Sequence, residues 1–91
     1  SETYGLVTIE ALLKAVPVVA SNLGGTPEIL NYGTYGELFE SGNENDLADK
    51  IKNMYGNYQF YKTKAISQRD EIISKYNKNQ EIASILELLV D

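Results

Sequence analysis

The stretch Val16-Pro17-Val18-Val19-Ala20-Ser21 constrains the fold of this chain more than any other. It is short, β-branched and continuously apolar. Such a run reads as a strand buried on both faces, as in a parallel sheet. The residues before it have a different period. Leu6, Ile9 and Leu13, with Val7 and Leu12, form a wide apolar face at helical spacing, which predicts a helix from about Gly5 to Ala15. Pro17 cannot continue that helix, and Val16 before it is pushed toward extended geometry.

After the strand, Asn22-Leu23-Gly24-Gly25 reads as a turn and Thr26-Pro27-Glu28 as a helix start. Thr26 supplies a hydroxyl cap, Pro27 takes an early helical position, and Glu28 sits near the positive end of the dipole. Asn31-Tyr32-Gly33 stops this short helix, and Gly36-Glu37-Leu38-Phe39 predicts a second strand. Asn43 is the expected cap of the next helix, with Asp46 three residues on. Its apolar positions are Leu47, Ala48, Ile51, Met54 and Tyr55, and Gly56 closes it. A longer helix is predicted from about Tyr58 to Tyr76, with Ala65, Ile66, Ile72, Ile73 and Tyr76 on one side. Asn77 is the expected cap of a last helix carrying Ile82, Ile85, Leu86 and Leu89.

The order predicts an α/β fold with a short parallel sheet of about two strands and about five helices. Residues 1–55 form the α/β core and residues 56–91 the C-terminal helices. A parallel pair needs neighbours on both edges. The 91 residues are therefore expected to be part of a larger domain, and the bare sheet edge is expected to favour a homodimer.

Composition removes several classes of chemistry. The chain has no cysteine and no histidine, which excludes disulfides, Cys/His zinc sites and histidine acid–base catalysis within it. No metal and no cofactor is expected. The net charge is −5 and the eight Lys and Arg are scattered along the sequence, so no nucleic-acid partner is expected. No apolar run approaches the ~20 residues of a membrane span. The missing cysteines fit a cytoplasmic location.

Glu2 and Glu10 bracket seven residues. With a helix starting near Gly5, Glu2 lies in the preceding loop and Glu10 about 7 Å along the axis. The free amides of Tyr4, Gly5 and Leu6 then point out of the helix start. A pyrophosphate could rest on those amides, Gly5 would let the backbone come close, and Glu10 could accept hydrogen bonds from a ribose. Glu2, on the other side, could reach a sugar hydroxyl. By spacing alone the plainer alternative weighs more: Glu2 as a solvated loop residue and Glu10 at the edge of the apolar face.

Other residues carry competing readings. Gly24 and Gly25 form either an amide nest or a tight strand-to-helix turn. Lys14 lies where it can cap helix carbonyls. Tyr55, Tyr58 and Tyr61 read as helix-packing or hinge residues in preference to sugar-stacking ones. Lys62, Lys64, Arg69, Lys75 and Lys78 read as a solvated face.

The segment Glu2-Thr3-Tyr4-Gly5-Leu6-Val7-Thr8-Ile9-Glu10-Ala11 resembles the E-G-F-G-x-x-x-x-E-A motif of GT4 glycosyltransferases. Pro17-Val18-Val19-Ala20-Ser21 resembles the strand that follows it in that family, and Gly24-Gly25-Thr26-Pro27-Glu28-Ile29 the G-G-x-P-E-I turn. Tyr35-Gly36-Glu37-Leu38-Phe39, Gly42 and Leu47-Ala48 continue the likeness to about Ile51. Thr3 replaces a usual glycine, Tyr4 a usual phenylalanine and Asn43 a common aspartate.

This resemblance implies a partial Rossmann-like unit, the carboxy-terminal domain of a GT-B enzyme. It implies transfer from a nucleotide sugar, of UDP or GDP type, with retention, to an acceptor glycan, lipid or protein. Glu2 would contact the donor sugar as the catalytic carboxylate. Glu10 would hold the ribose, and Tyr4, Gly5 and Leu6 would lie near the sugar and phosphates. The family's basic residues for the diphosphate lie upstream of this chain, so the 91 residues alone are expected to be inactive. The whole enzyme is expected in the cytoplasm or peripherally at the inner membrane face. A glycosyltransferase-like domain without chemistry and a GT-B sugar-nucleotide epimerase are the competing readings.

Overall fold

The computed structural model describes residues 2–76, with side chains from residue 5 onward. The elements are α1 (Glu2–Leu13), β1 (Val19–Ser21), α2 (Thr26–Ile29), a 3-10 turn (Asn31–Gly33), β2 (Glu37–Phe39), α3 (Glu44–Gly56) and α4 (Tyr58–Tyr76). β1 and β2 pair in parallel, with Val19 opposite Glu37, Ala20 opposite Leu38 and Ser21 opposite Phe39. The expected α/β order and parallel pair are both present. The last helix expected after Asn77 lies outside the described residues.

The core is Ile9, Leu12 and Leu13 of α1, Leu30, Tyr35, and Ile72 of α4. Val18, Ala20, Ile29, Leu38, Ile73 and Tyr76 pack around it. Among the described residues β1 is half-buried, not buried on both faces as its composition predicts. A two-stranded sheet gives β1 one hydrogen-bonded neighbour, and the second edge stays uncovered.

Gly36 explains how β2 comes so close to the chain before β1. A Cβ at this position would lie 2.9 Å from the Val18 carbonyl oxygen and 3.2 Å from Leu30 Cδ2. That same Val18 carbonyl accepts the Glu37 amide at 2.9 Å. Only a residue without a side chain lets this bond and the Leu30 contact coexist.

α1 ends without glycine. Ala15 takes a left-handed conformation, φ 56°. The Val16 amide donates to the Ala11 carbonyl at 2.9 Å and the Ala15 amide to Leu12 at 3.0 Å. These are the two bonds of a Schellman motif, made at the expense of about 1–2 kcal/mol of steric strain at a non-glycine residue. Lys14 does not cap these carbonyls. Its Nζ pairs with Glu10 Oε1 at 3.2 Å, an exposed i,i+4 ion pair.

The carbonyls at this end are instead satisfied from α4. Lys62 Nζ donates to the Ala15 carbonyl and Arg69 Nε to the Leu13 carbonyl, each at 2.6 Å. Lys62 and Arg69 are therefore not part of a solvated face. They carry positive charge to the negative end of the α1 dipole and fasten α4 there.

α3 starts as expected. The Asn43 side chain accepts from the Asp46 amide at 2.9 Å, and Asp46 Oδ2 accepts from the Glu40 amide at 2.6 Å. α2 differs from expectation. Gly25 is its N-cap, Thr26 is already helical, and no side chain caps it. The stop after α2 is steric: Asn31, Tyr32 and Gly33 all have positive φ.

Several expected packing positions stay in solvent among the described residues. Ile51 and Tyr55 of α3 and Ile66 of α4 are exposed, and Met54 alone of α3 is buried. Tyr61 does join the two helices, accepting from Asn53 Nδ2 at 2.8 Å and meeting Phe60 edge-on. Tyr55 and Tyr58 are exposed and make no such link.

Candidate functional site

α1 opens at Glu2, not near Gly5. Glu2 and Thr3 are already helical. Glu2 is therefore a helix residue, not a loop residue. The amides of Gly5 and Leu6 enter the helical ladder, and of the three amides singled out only that of Tyr4 remains in the open first turn. Glu10 stands eight residues into α1, about 12 Å along the axis, where a start near Gly5 puts it at about 7 Å.

Between the first half of α1 and the end of β1 lies a cleft of about 670 Å³. Gly5, Val7 and Thr8 form one wall; Ala20, Ser21 and Leu23 form the floor and rim; Gly24, Gly25, Thr26 and Ile29 close the far side. The size is that of a small-molecule site. Its position at the carboxyl end of a parallel strand is where open α/β sheets bind ligands.

Each wall has a local cause. Gly24 has φ +59°, a left-handed conformation that turns the chain from β1 directly into α2. A Cβ at Gly5 would stand 3.3 Å from Ile29 Cδ1, so its missing side chain is explained by close packing of α1 on α2. Val7 and Leu23 leave exposed apolar surface at the mouth. Thr8, Ser21 and Thr26 bring hydroxyls to the lining. Thr8 and Ser21 carry no reading of their own in the sequence, and Thr26 reads there only as a helix cap, although each lies inside a segment quoted above.

Glu10 is not among the residues lining this cleft. At about 100° per residue it is turned some 200° from Thr8 around the axis of α1. Its half-exposed carboxylate is held by Lys14. The cleft thus gathers Gly5 of the expected site residues and leaves Glu10 on another flank of the same helix. Among the described residues no group of three His, Cys, Asp or Glu could hold a metal ion, and no helix is long and apolar enough to cross a membrane.

Tyr35 is part of the core, and Tyr76, the last residue of α4, packs against that core. Burial, then a hydrogen bond and the charge of Glu71, push the Tyr35 hydroxyl above its ordinary pKa. Burial, then the charge of Glu28, does the same to Tyr76. Lys75 Nζ stands 5.5 Å from the Tyr35 ring centre and 5.7 Å from that of Tyr76.

Comparison with known proteins places this architecture. The chain is 40% identical over 63 residues to an uncharacterized glycosyltransferase of Methanocaldococcus jannaschii, covering 69% of this chain and 18% of that protein. It is 26% identical over 88 residues to N-acetyl-alpha-D-glucosaminyl L-malate synthase of Bacillus anthracis, covering 97% of this chain and 23% of the synthase. It is 33% identical over 88 residues to poly(ribitol-phosphate) alpha-N-acetylglucosaminyltransferase of Staphylococcus aureus, covering 96% of this chain and 18% of that enzyme. The chain thus spans about a fifth of the length of these relatives. No solved structure matches it. The model of the family described as glycosyl transferases group 1 matches residues 1–57, which takes in α1, the cleft and all of α3. On that match the chain belongs to the group 1 glycosyl transferases.

Proposed function

We propose that this chain supplies part of the donor site of a retaining glycosyltransferase of GT4 type. The family implies the Rossmann-like GT-B fold, and the helix–strand–helix–strand order with a parallel pair fits it. The observation that carries the reading is the cleft at the carboxyl end of β1, walled by the first half of α1 and the Gly24-Gly25 turn. A diphosphate there would meet the open amides of the first turn up to Tyr4, the positive end of the helix and the backbone at Gly24 and Gly25. Gly5 and Leu6 border the same turn.

Glu2 would face the transferred sugar, and Glu10 would accept hydrogen bonds from the ribose hydroxyls on the flank of α1 it shares with Lys14. The donor is a nucleotide sugar of UDP or GDP type, and the acceptor a glycan, lipid or protein. The reaction needs no bound metal in this reading. It depends on stabilising the departing nucleoside diphosphate electrostatically, and the 91 residues alone turn over no donor.

The test is calorimetry of nucleoside diphosphate binding to the full-length enzyme and its Glu10→Gln variant. Loss of the charged acceptor should weaken binding by about 1–3 kcal/mol. Equal affinities would reject the role given to Glu10. A panel of nucleotide sugars offered to the isolated chain checks the second part of the reading. Any sugar transfer would overturn it.

A further inference from the structure

Gly5 is the fourth residue of α1, and its backbone does not call for glycine. Among the described residues the glycines with positive φ are Gly24, Gly33 and Gly42, so Gly5 holds a geometry open to any residue. Glycine inside a helix is less stable there than alanine. What the position uses is therefore the missing side chain. Outside its own helix, a Cβ at Gly5 would meet one atom of the described residues within 4 Å, Ile29 Cδ1 at 3.3 Å. Room for it needs a shift of a few tenths of an ångström.

Ile29 has little freedom to supply that shift. It is β-branched and stiff at χ1, and it packs against the core. Its amide donates to the Gly25 carbonyl at 3.2 Å. The next residue, Leu30, is wholly buried; its amide donates to Thr26 at 3.0 Å and its carbonyl accepts from the Tyr35 amide at 2.9 Å. α1 is held at its far end, where Leu12 and Leu13 are buried and Arg69 and Lys62 bind the carbonyls of Leu13 and Ala15. With α2 and the end of α1 both fixed, the part that must move is the first turn of α1.

We infer that Ile29 is a positioning residue for the donor. Its Cδ1, seated against the bare face of Gly5, sets how far the first turn of α1 stands from the Gly24-Gly25 turn, and so sets the width of the cleft that all four residues line. The open amides of that first turn lie less than one helical turn before Gly5. A change of one methyl group at either residue therefore displaces the groups offered to a diphosphate. The inference rests on the donor reading above. It gives Gly5 a use other than close approach of the ligand: the space is left for Ile29.

The experiment measures nucleoside diphosphate affinity by calorimetry, and the thermal midpoint, for the full-length enzyme, its Gly5→Ala and Ile29→Val variants and the double variant. Ile29→Val removes Cδ1 and no other heavy atom. Gly5→Ala should weaken binding about tenfold. Ile29→Val should weaken it less than about threefold, and the double variant should return to within about threefold of the parent. The midpoint should fall with Gly5→Ala in the parent and rise with it in the Ile29→Val background, where only the helical preference for alanine remains. A double variant that binds no better than Gly5→Ala alone would overturn the inference, because the bare backbone would then be serving the ligand. So would a Gly5→Ala enzyme that binds like the parent whatever its midpoint, because the contact would then be structural only. A midpoint lowered in both backgrounds would place the clash elsewhere than Ile29 and also overturn it. A parent that binds no nucleoside diphosphate would reject the donor reading and this inference together.

Discussion

Arg69 Nε donates to the carbonyl of Leu13 at 2.6 Å, across 56 residues of sequence. With Lys62 on Ala15, it serves two carbonyls that the Schellman turn of α1 leaves open. Both are part-buried charged hydrogen bonds, a class worth about 1.5–3 kcal/mol. Arg69→Ala is expected to destabilise the chain by about that amount, and Lys62→Ala by a similar or smaller amount. Urea unfolding followed by circular dichroism measures it; an unchanged midpoint for both would show that the carbonyls are equally well served by water.

Gly36→Ala should be among the most damaging single-methyl changes in the chain. Its Cβ would meet the Val18 carbonyl oxygen at 2.9 Å, and that oxygen is fixed by the Glu37 amide. Backbone must move, at a cost of about 1–3 kcal/mol. The thermal midpoint should fall accordingly. A variant as stable as the parent would mean that β2 has slack the structure does not display.

Asn43→Ala removes the side-chain acceptor for the Asp46 amide at the start of α3. Loss of such a cap costs about 1 kcal/mol. Asn43→Asp should be neutral or slightly stabilising, because the acceptor is kept and a negative charge is added at the positive helix end. Denaturant midpoints of the two variants should therefore separate in opposite directions or from zero in one direction only; equal losses would contradict the capping role.

Stability should decline at high pH through Tyr35 and Tyr76. Both hydroxyls are pushed above the ordinary value of 10.0, so the folded chain holds its protons more tightly than the unfolded one. Their contribution is complete below pH 10.0 and is lost as pH rises from there through the folded values. Tyr35→Phe should flatten the fall in stability between about pH 9 and pH 11. Parallel pH profiles for parent and variant would rule Tyr35 out as a source.

What the sequence made legible was local. The Asn43 cap with Asp46 three residues on, the stop at Asn31-Tyr32-Gly33 and the parallel pairing of two short apolar runs each depend on a few neighbouring residues, and each is present. What stayed hidden was set elsewhere. Lys62 and Arg69 read as solvated because their partners are 47 and 56 residues away. The left-handed residue ending α1 is Ala15, where glycine is the usual signal, so the Schellman turn had no mark in the sequence. In the site, Glu2 reads as loop only if the helix starts near Gly5, and α1 runs through Gly5 from Glu2. Thr8, Ser21 and Thr26 meet only once α1, β1 and α2 are packed, and no spacing along the chain announces that.

The fastening of α1 to α4 has a consequence for the order of assembly. α1 precedes α4, and the Leu13 carbonyl and the Ala15 carbonyl just beyond it find their side-chain donors only when α4 arrives, some fifty residues later. The wall that Gly5 and Thr8 give to the cleft is therefore seated by a late, non-local event. Variation in α4, far from any donor, should tilt that wall and so be felt as altered ligand affinity.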